Sequence, residues 1–155
     1  MGERSPDNEM RQELTRQLIG DEAVRKFVYK DHLGYYTIGI GRLVDERKSG
    51  GLRDVEMQFM LNNDIDDMVN ELTKRIPWIN DLDDARKGAL LNMSFQLGVD
   101  GLLAFKNTLK LIQGGDYETA SREVLRSLWA KQTPARAKRI SEQIRTGVWQ
   151  YAPGA

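Results

Sequence analysis

Glu22 and Asp31 stand nine positions apart, and Thr37 follows the aspartate within the stretch YKDHLGYYTIGIG at 29–41. Two carboxyls do acid–base work together when one is held protonated and the other ionised. Cleaving a glycosidic bond asks for that division: an acid protonates the leaving oxygen, and a carboxylate activates water or stabilises the cationic sugar. Two environments must then push two pKa values apart. A glutamate on an apolar helical stripe and an aspartate in a polar loop supply the contrast, since burial raises one pKa and loop amides favour the other's charge. Spacing alone leaves a plainer reading open. With 23 acidic residues in the chain, Asp31 can equally be a turn-former and Glu22 a helix-end charge.

The elements that would position this pair are legible nearby. Ser5-Pro6 is a helix start with proline at the first helical position, and Met10, Leu14 and Leu18 recur every four residues. A helix of about residues 6–23 is predicted, and one more turn of its stripe lands on Glu22. From Phe27 to Val44 aromatic and β-branched residues cluster between glycines at 34, 39 and 41, the pattern of a small antiparallel sheet. Val55, Phe59, Asn62, Ile65, Val69, Leu72 and Ile76 then mark one face of a long helix of about residues 53–76 that Pro77 stops. At 1.5 Å per residue it spans about 36 Å, enough to bridge two lobes. Beyond it the pattern is helical. Asp83 is placed to cap a helix ending at Gly98, Asn107 one ending at Gly114-Gly115, Asp116 one reaching about Ala130, and Thr133-Pro134 one ending near Gly147.

Composition narrows the chemistry. At 155 residues, 40% hydrophobic and 30% charged, the chain has the size and make-up of one soluble globular domain. It has no run of about 18 apolar residues, and MGERSPDNEMRQELTRQ lacks the apolar core of a secretory signal, so accumulation in the cytoplasm is expected. Zero cysteines and one histidine exclude disulfides and thiolate metal sites and make an imidazole-rich metal centre improbable. The net charge of zero conceals an asymmetry: residues 104–155 carry nine Lys/Arg against four Asp/Glu. Such a basic segment can attract an anionic polymer, whether nucleic acid or acidic cell wall, although solvated helix faces give the same counts.

The stretch DEAVRKFVYKDHLGYYTIGIGRL closely resembles the catalytic segment of the phage-type lysozymes, particularly those of T-even bacteriophages. ALLNMSFQLG at 89–98, AFKNTL at 104–109, QTPARAKRI and RTGVW resemble that family's later helices in the same order, so the likeness covers about residues 14–149. It implies that Glu22 is the general acid, Asp31 the second carboxylate and Thr37 a hydroxyl that helps place the attacking water. It further implies a substrate cleft lined by Leu43, Phe95, Gln96 and Thr108, with Trp129 in the core and Arg136 bracing the helix that carries the acid. The implied fold is α+β, mainly helical and two-lobed. One lysozyme domain, 1–155, would comprise a sheet-containing lobe of about 24–58, a connecting helix of about 53–76, and a helical lobe of about 1–23 plus 77–155.

The function implied is a peptidoglycan hydrolase, an N-acetylmuramidase acting on the β-1,4 link between N-acetylmuramic acid and N-acetylglucosamine, with inversion. The expected setting is that of a phage endolysin: a monomer with no cofactor, metal, nucleic-acid partner or membrane insertion, held in the host cytoplasm until a holin gives it access to the wall. Three departures stand out. Arg42 replaces a family histidine and is expected to pair with Asp64; Glu123 replaces a cleft asparagine; and the N-terminus is longer by about eleven residues than the T-even form. His32 beside Asp31 reads as an exposed turn residue, and RAKR at 136–139 reads as a solvated basic face. Two rivals remain: a lytic transglycosylase, which leaves anhydro ends, and a non-enzymatic module that binds wall glycan or nucleic acid.

Overall fold

The computed structural model describes residues 6–21, 29–30, 36–38, 42–45 and 54–153, with the backbone alone at 6–7, 29–30, 36–38, 42–45 and 54–58. Helix α1 (Pro6–Asp21) begins on its proline, as predicted, and buries Met10, Leu14 and Leu18. The same face carries Gln17, also buried, because position 17 is two helical turns beyond Met10. Three short strands follow, β1 (Tyr29–Lys30), β2 (Tyr36–Ile38) and β3 (Arg42–Asp45), antiparallel in that order. Most of the expected lobe of about 24–58 lies outside the described residues.

Helix α2 (Asp54–Arg75) is 22 residues long and stops before Pro77, whose ring cannot continue it. Its expected stripe holds at Ile65 and Leu72, which are buried, and at Val69, which packs against the core as Ile76 does just beyond the helix, but fails at Phe59 and Asn62, whose places are taken by the buried Leu61 and Met68. Phe59 is 68% exposed. At 3.6 residues per turn it lies about 120° around the helix from Ile65, whereas Leu61 lies within about 40°. The apolar identity of Phe59 therefore misled the choice of face. Pro77–Asp81 forms a short 3-10 turn that buries Ile79.

Helix α3 (Asp84–Leu103) is the core helix: Ala85 and every residue from Gly88 to Ser94 are buried, so it is covered on all sides. Asp83 caps it as expected, its side chain accepting from the Arg86 N–H at 3.2 Å. At Gly98 the backbone leaves the helical region (φ 79°, ψ 164°), which is the predicted stop, but helical turns resume as far as Leu103. Helix α4 (Lys106–Gln113) then departs at 101° to α3. Asn107 is not its cap. Phe105 occupies that position, its carbonyl accepting from Leu109 N–H at 2.9 Å, and this places Asn107 inside the first turn.

Asp116 caps α5 (Tyr117–Leu125), and hydrogen bonds from the Thr119 side chain and backbone hold its carboxyl below the ordinary value. The single helix expected from there to Ala130 is two. Ser127 Oγ donates to the Val124 carbonyl at 2.7 Å and accepts from Ala130 N–H at 3.1 Å, ending one helix and capping α6 (Leu128–Gln132). Helix α7 (Pro134–Thr146) starts on its proline and ends at Gly147, whose positive φ of 73° suits glycine. Thr133 fills the cap position of α7, but its hydroxyl donates to the Trp129 carbonyl at 2.9 Å instead.

The chain after α7 lies against α1 and α3. A Cβ built on Gly88 would stand 2.1 Å from the Trp149 ring. Gly88→Ala is therefore expected to displace the tail and cost about 1–3 kcal/mol, measurable by denaturant unfolding. Among the described residues no single helix is long and apolar enough to cross a membrane, and no His/Cys/Asp/Glu group could hold a metal ion.

Candidate active site

Helix α1 ends on a carboxylate. Asp21 is its last residue, where the helix dipole disfavours negative charge, and the last turn contains no basic residue. Compensation comes from α7, 118 residues away in sequence: Arg139 Nη2 donates to Asp21 Oδ1 at 2.8 Å. Arg136 Nε stands 3.7 Å from Asp21 Oδ2. The Asp21 side chain is only 1% exposed, and that of Arg136 7%. A buried carboxylate with two guanidiniums avoids the penalty of an isolated charge, and it ties the end of α1 to α7.

Asn92 on α3 completes the junction. Its carbonyl accepts from Arg136 Nε and Nη2 at 2.9 and 2.8 Å, and its amide nitrogen donates to Asp21 Oδ2 at 2.8 Å and Gln17 Oε1 at 2.9 Å. A buried amide can persist in the apolar core only if its donors and acceptor are used, and here they are. The basic face expected at 136–139 is thus corrected: Arg136 and Arg139 turn inward, because positions three apart lie on successive turns of one face of α7, here the face toward Asp21 and Asn92, while Lys138 faces solvent. Arg136 does brace the end of α1, as the resemblance implied, through Asp21 and Asn92.

Glu22 and Asp31 lie outside the described residues, as do His32 and the Arg42 side chain with its expected Asp64 pairing. Glu22 is the residue that directly follows the pinned Asp21. Thr37 is described by its backbone, which pairs with Tyr29 on one side and with Leu43 on the other, so two predicted site residues are cross-strand partners. A register irregularity falls between Tyr36 and Thr37.

The remaining predicted positions belong to the helical part. Phe95 and Gln96 are half-buried on the last turn of α3 before Gly98. Trp129, a core residue as expected, donates its indole N–H to Gln96 Oε1 at 2.8 Å and meets Phe105 edge-on at 6.4 Å between ring centroids. Thr108, on α4, is 4% exposed.

The family model for phage lysozyme matches residues 20–143, which include the end of α1, the strands, and helices α2 to α6 with most of α7. The chain belongs to the phage lysozyme family. It is similar to probable T4-type lysozyme 1 of Dictyostelium discoideum, 34% identical over an alignment that covers 82% of this chain and 90% of that protein. A second Dictyostelium discoideum protein, probable T4-type lysozyme 2, is 32% identical over 86% of this chain and 94% of its own length. The pre-baseplate central spike protein Gp5 of Enterobacteria phage T4 is 30% identical over 91% of this chain, which corresponds to 29% of that protein.

As a member of the phage lysozyme family the chain is a glycoside hydrolase of the lysozyme type. Glu123, the departure from the family asparagine, lines an open pocket with Asn107, Lys110 and Asp116, and accepts from Arg126 at 3.3 Å. Asp21, Asn92 and Arg139 escaped the sequence reading. Asn92 had a signal: it is the one amide in the apolar run ALLNM, and an amide in such a run needs a buried partner.

Proposed function

We propose that this lysozyme cleaves the β-1,4 bond between N-acetylmuramic acid and N-acetylglucosamine in peptidoglycan, with Glu22 as general acid and Asp31 and Thr37 holding the attacking water. The carrying observation is the junction at Asp21: two arginines and an asparagine pin the last residue of α1, and the residue presented next is Glu22. Family membership supports the chemistry. A peptidoglycan hydrolase gp36 of Pseudomonas phage phiKMV, 27% identical over 83% of this chain, supports the substrate. The proposal includes two lobes joined by α2, a cleft lined by Leu43, Phe95, Gln96 and Thr108, and a monomer that works as a phage endolysin once a holin admits it from the host cytoplasm to the wall.

Inversion requires room for water between sugar and carboxylate, with the two carboxyls about 6.5–9.5 Å apart. Proton NMR of the first-formed product tests the proposed mechanism. The α-anomer of the new reducing end is expected, and a β-anomer formed first would overturn inversion and the water-positioning role of Asp31 and Thr37 together.

A further inference from the structure

Gln17 and Gln143 are wholly buried, and each amide is used at both ends. Gln17 Nε2 donates to Gln143 Oε1 and, at 2.7 Å, to the Gln150 carbonyl, while its Oε1 accepts from Asn92 at 2.9 Å. Gln143 Oε1 also accepts from the Gln150 N–H at 3.0 Å, and its Nε2 donates to the Ala85 carbonyl at 2.7 Å. A continuous polar rung therefore runs from the start of α3 and the C-terminal tail, through α7 and α1, to Asn92 and Asp21. The tail is fastened to the same side of α1 by its next residue: Tyr151 OH bonds Glu13, and the Arg16 guanidinium lies 4.2 Å over the Tyr151 ring.

We propose that Gln17 and Gln143 are positioning residues, which lock α1 against the C-terminal tail and so fix the end of the helix from which residue 22 is presented. Apolar side chains of similar volume would fill this space at no loss of packing, and buried amides hold only while all their bonds are made. What the amides add is direction. Apolar contacts let a helix slip or turn with little resistance, whereas hydrogen bonds at a fixed length and angle set both its rotation and its height. One residue of slip moves the end of α1 by about 1.5 Å and turns it by about 100°. A misplacement of about 1 Å in a reacting group costs about a hundredfold in rate. The inference rests on Glu22 being the acid.

The test uses the full chain on soluble peptidoglycan oligomers, well below each variant's unfolding temperature, with kcat, KM and the pH profile measured per folded molecule. Gln17→Met keeps the volume and removes the bonds of Gln17 to Gln143, the Gln150 carbonyl and Asn92; Gln143→Met leaves the Gln17 bonds to Asn92 and the Gln150 carbonyl intact and removes those of Gln143 to Gln17, the Gln150 N–H and the Ala85 carbonyl. The expected result is a fall in kcat of about tenfold or more for Gln17→Met and a smaller fall for Gln143→Met, with KM within about twofold and the pH profile altered. Because the two variants report independently, one that fails to fold leaves the other to decide. A folded variant with a lowered melting temperature but wild-type kcat and pH profile would overturn the proposal. Glu22→Gln serves as the control: an active Glu22→Gln sinks the acid assignment, whereas an inactive one beside a fully active Gln17→Met sinks the positioning role alone.

Discussion

Glu22→Gln is expected to lower turnover on cell-wall suspensions by about 10²- to 10⁴-fold, the usual contribution of a positioned general acid. The substitution keeps the shape and most of the hydrogen bonding of the side chain and removes only its proton-donating ability. Binding should therefore survive while kcat collapses. Lysis by Glu22→Gln at a near wild-type rate would contradict the assignment, and turbidity clearing against a wild-type control measures it directly.

Asp21→Ala is expected to destabilise the protein by about 3–5 kcal/mol, because it removes the carboxylate that Arg136 and Arg139 face. A smaller effect opposes it. Removing a negative charge from the C-terminal end of α1 relieves its clash with the helix dipole, by about 0.3–1 kcal/mol. The loss of the buried ion pairing outweighs it by several-fold. Asp21→Asn, which keeps an acceptor oxygen for one arginine, should lose less, and denaturant unfolding of the two variants ranks them. Activity per folded molecule should fall as well, since Asp21 is the anchor for the residue that follows it.

Local pattern made much of the helical part legible. Met10, Leu14 and Leu18 repeat every four residues and are buried as read; proline at the first position of α1 and α7, the Asp83 and Asp116 caps and the Gly147 stop lie where short-range chemistry puts them. Failures came where two local signals competed or where the answer was not local. Phe59 outweighed Leu61 in choosing the face of α2, although the burial depends on angle and not on apolar size. Ser127 broke one helix into two because its hydroxyl offered the backbone a rival partner.

The proposed site residues were singled out in a different way. Glu22, Asp31 and Thr37 stood out through family likeness, while spacing alone would have left them as ordinary loop and helix-end residues. The junction that pins α1 had no such marker. Asp21 meets Arg139 across 118 residues and Asn92 across 71, and no periodicity within one helix encodes a partner on another. The RAKR cluster was misread for the same reason: charge on a helix reads as surface until the opposing carboxylate is known.

The ends left on the glycan test the central claim most directly. Purified peptidoglycan digested by the full chain and analysed by mass spectrometry should yield muropeptides that end in reducing N-acetylmuramic acid, each carrying the elements of one added water. Products ending in 1,6-anhydro sugar would make the enzyme a transglycosylase, and uncut glycan bound in a strongly salt-dependent manner would make it a binding module; either result would contradict hydrolysis by Glu22 with a water held by Asp31 and Thr37.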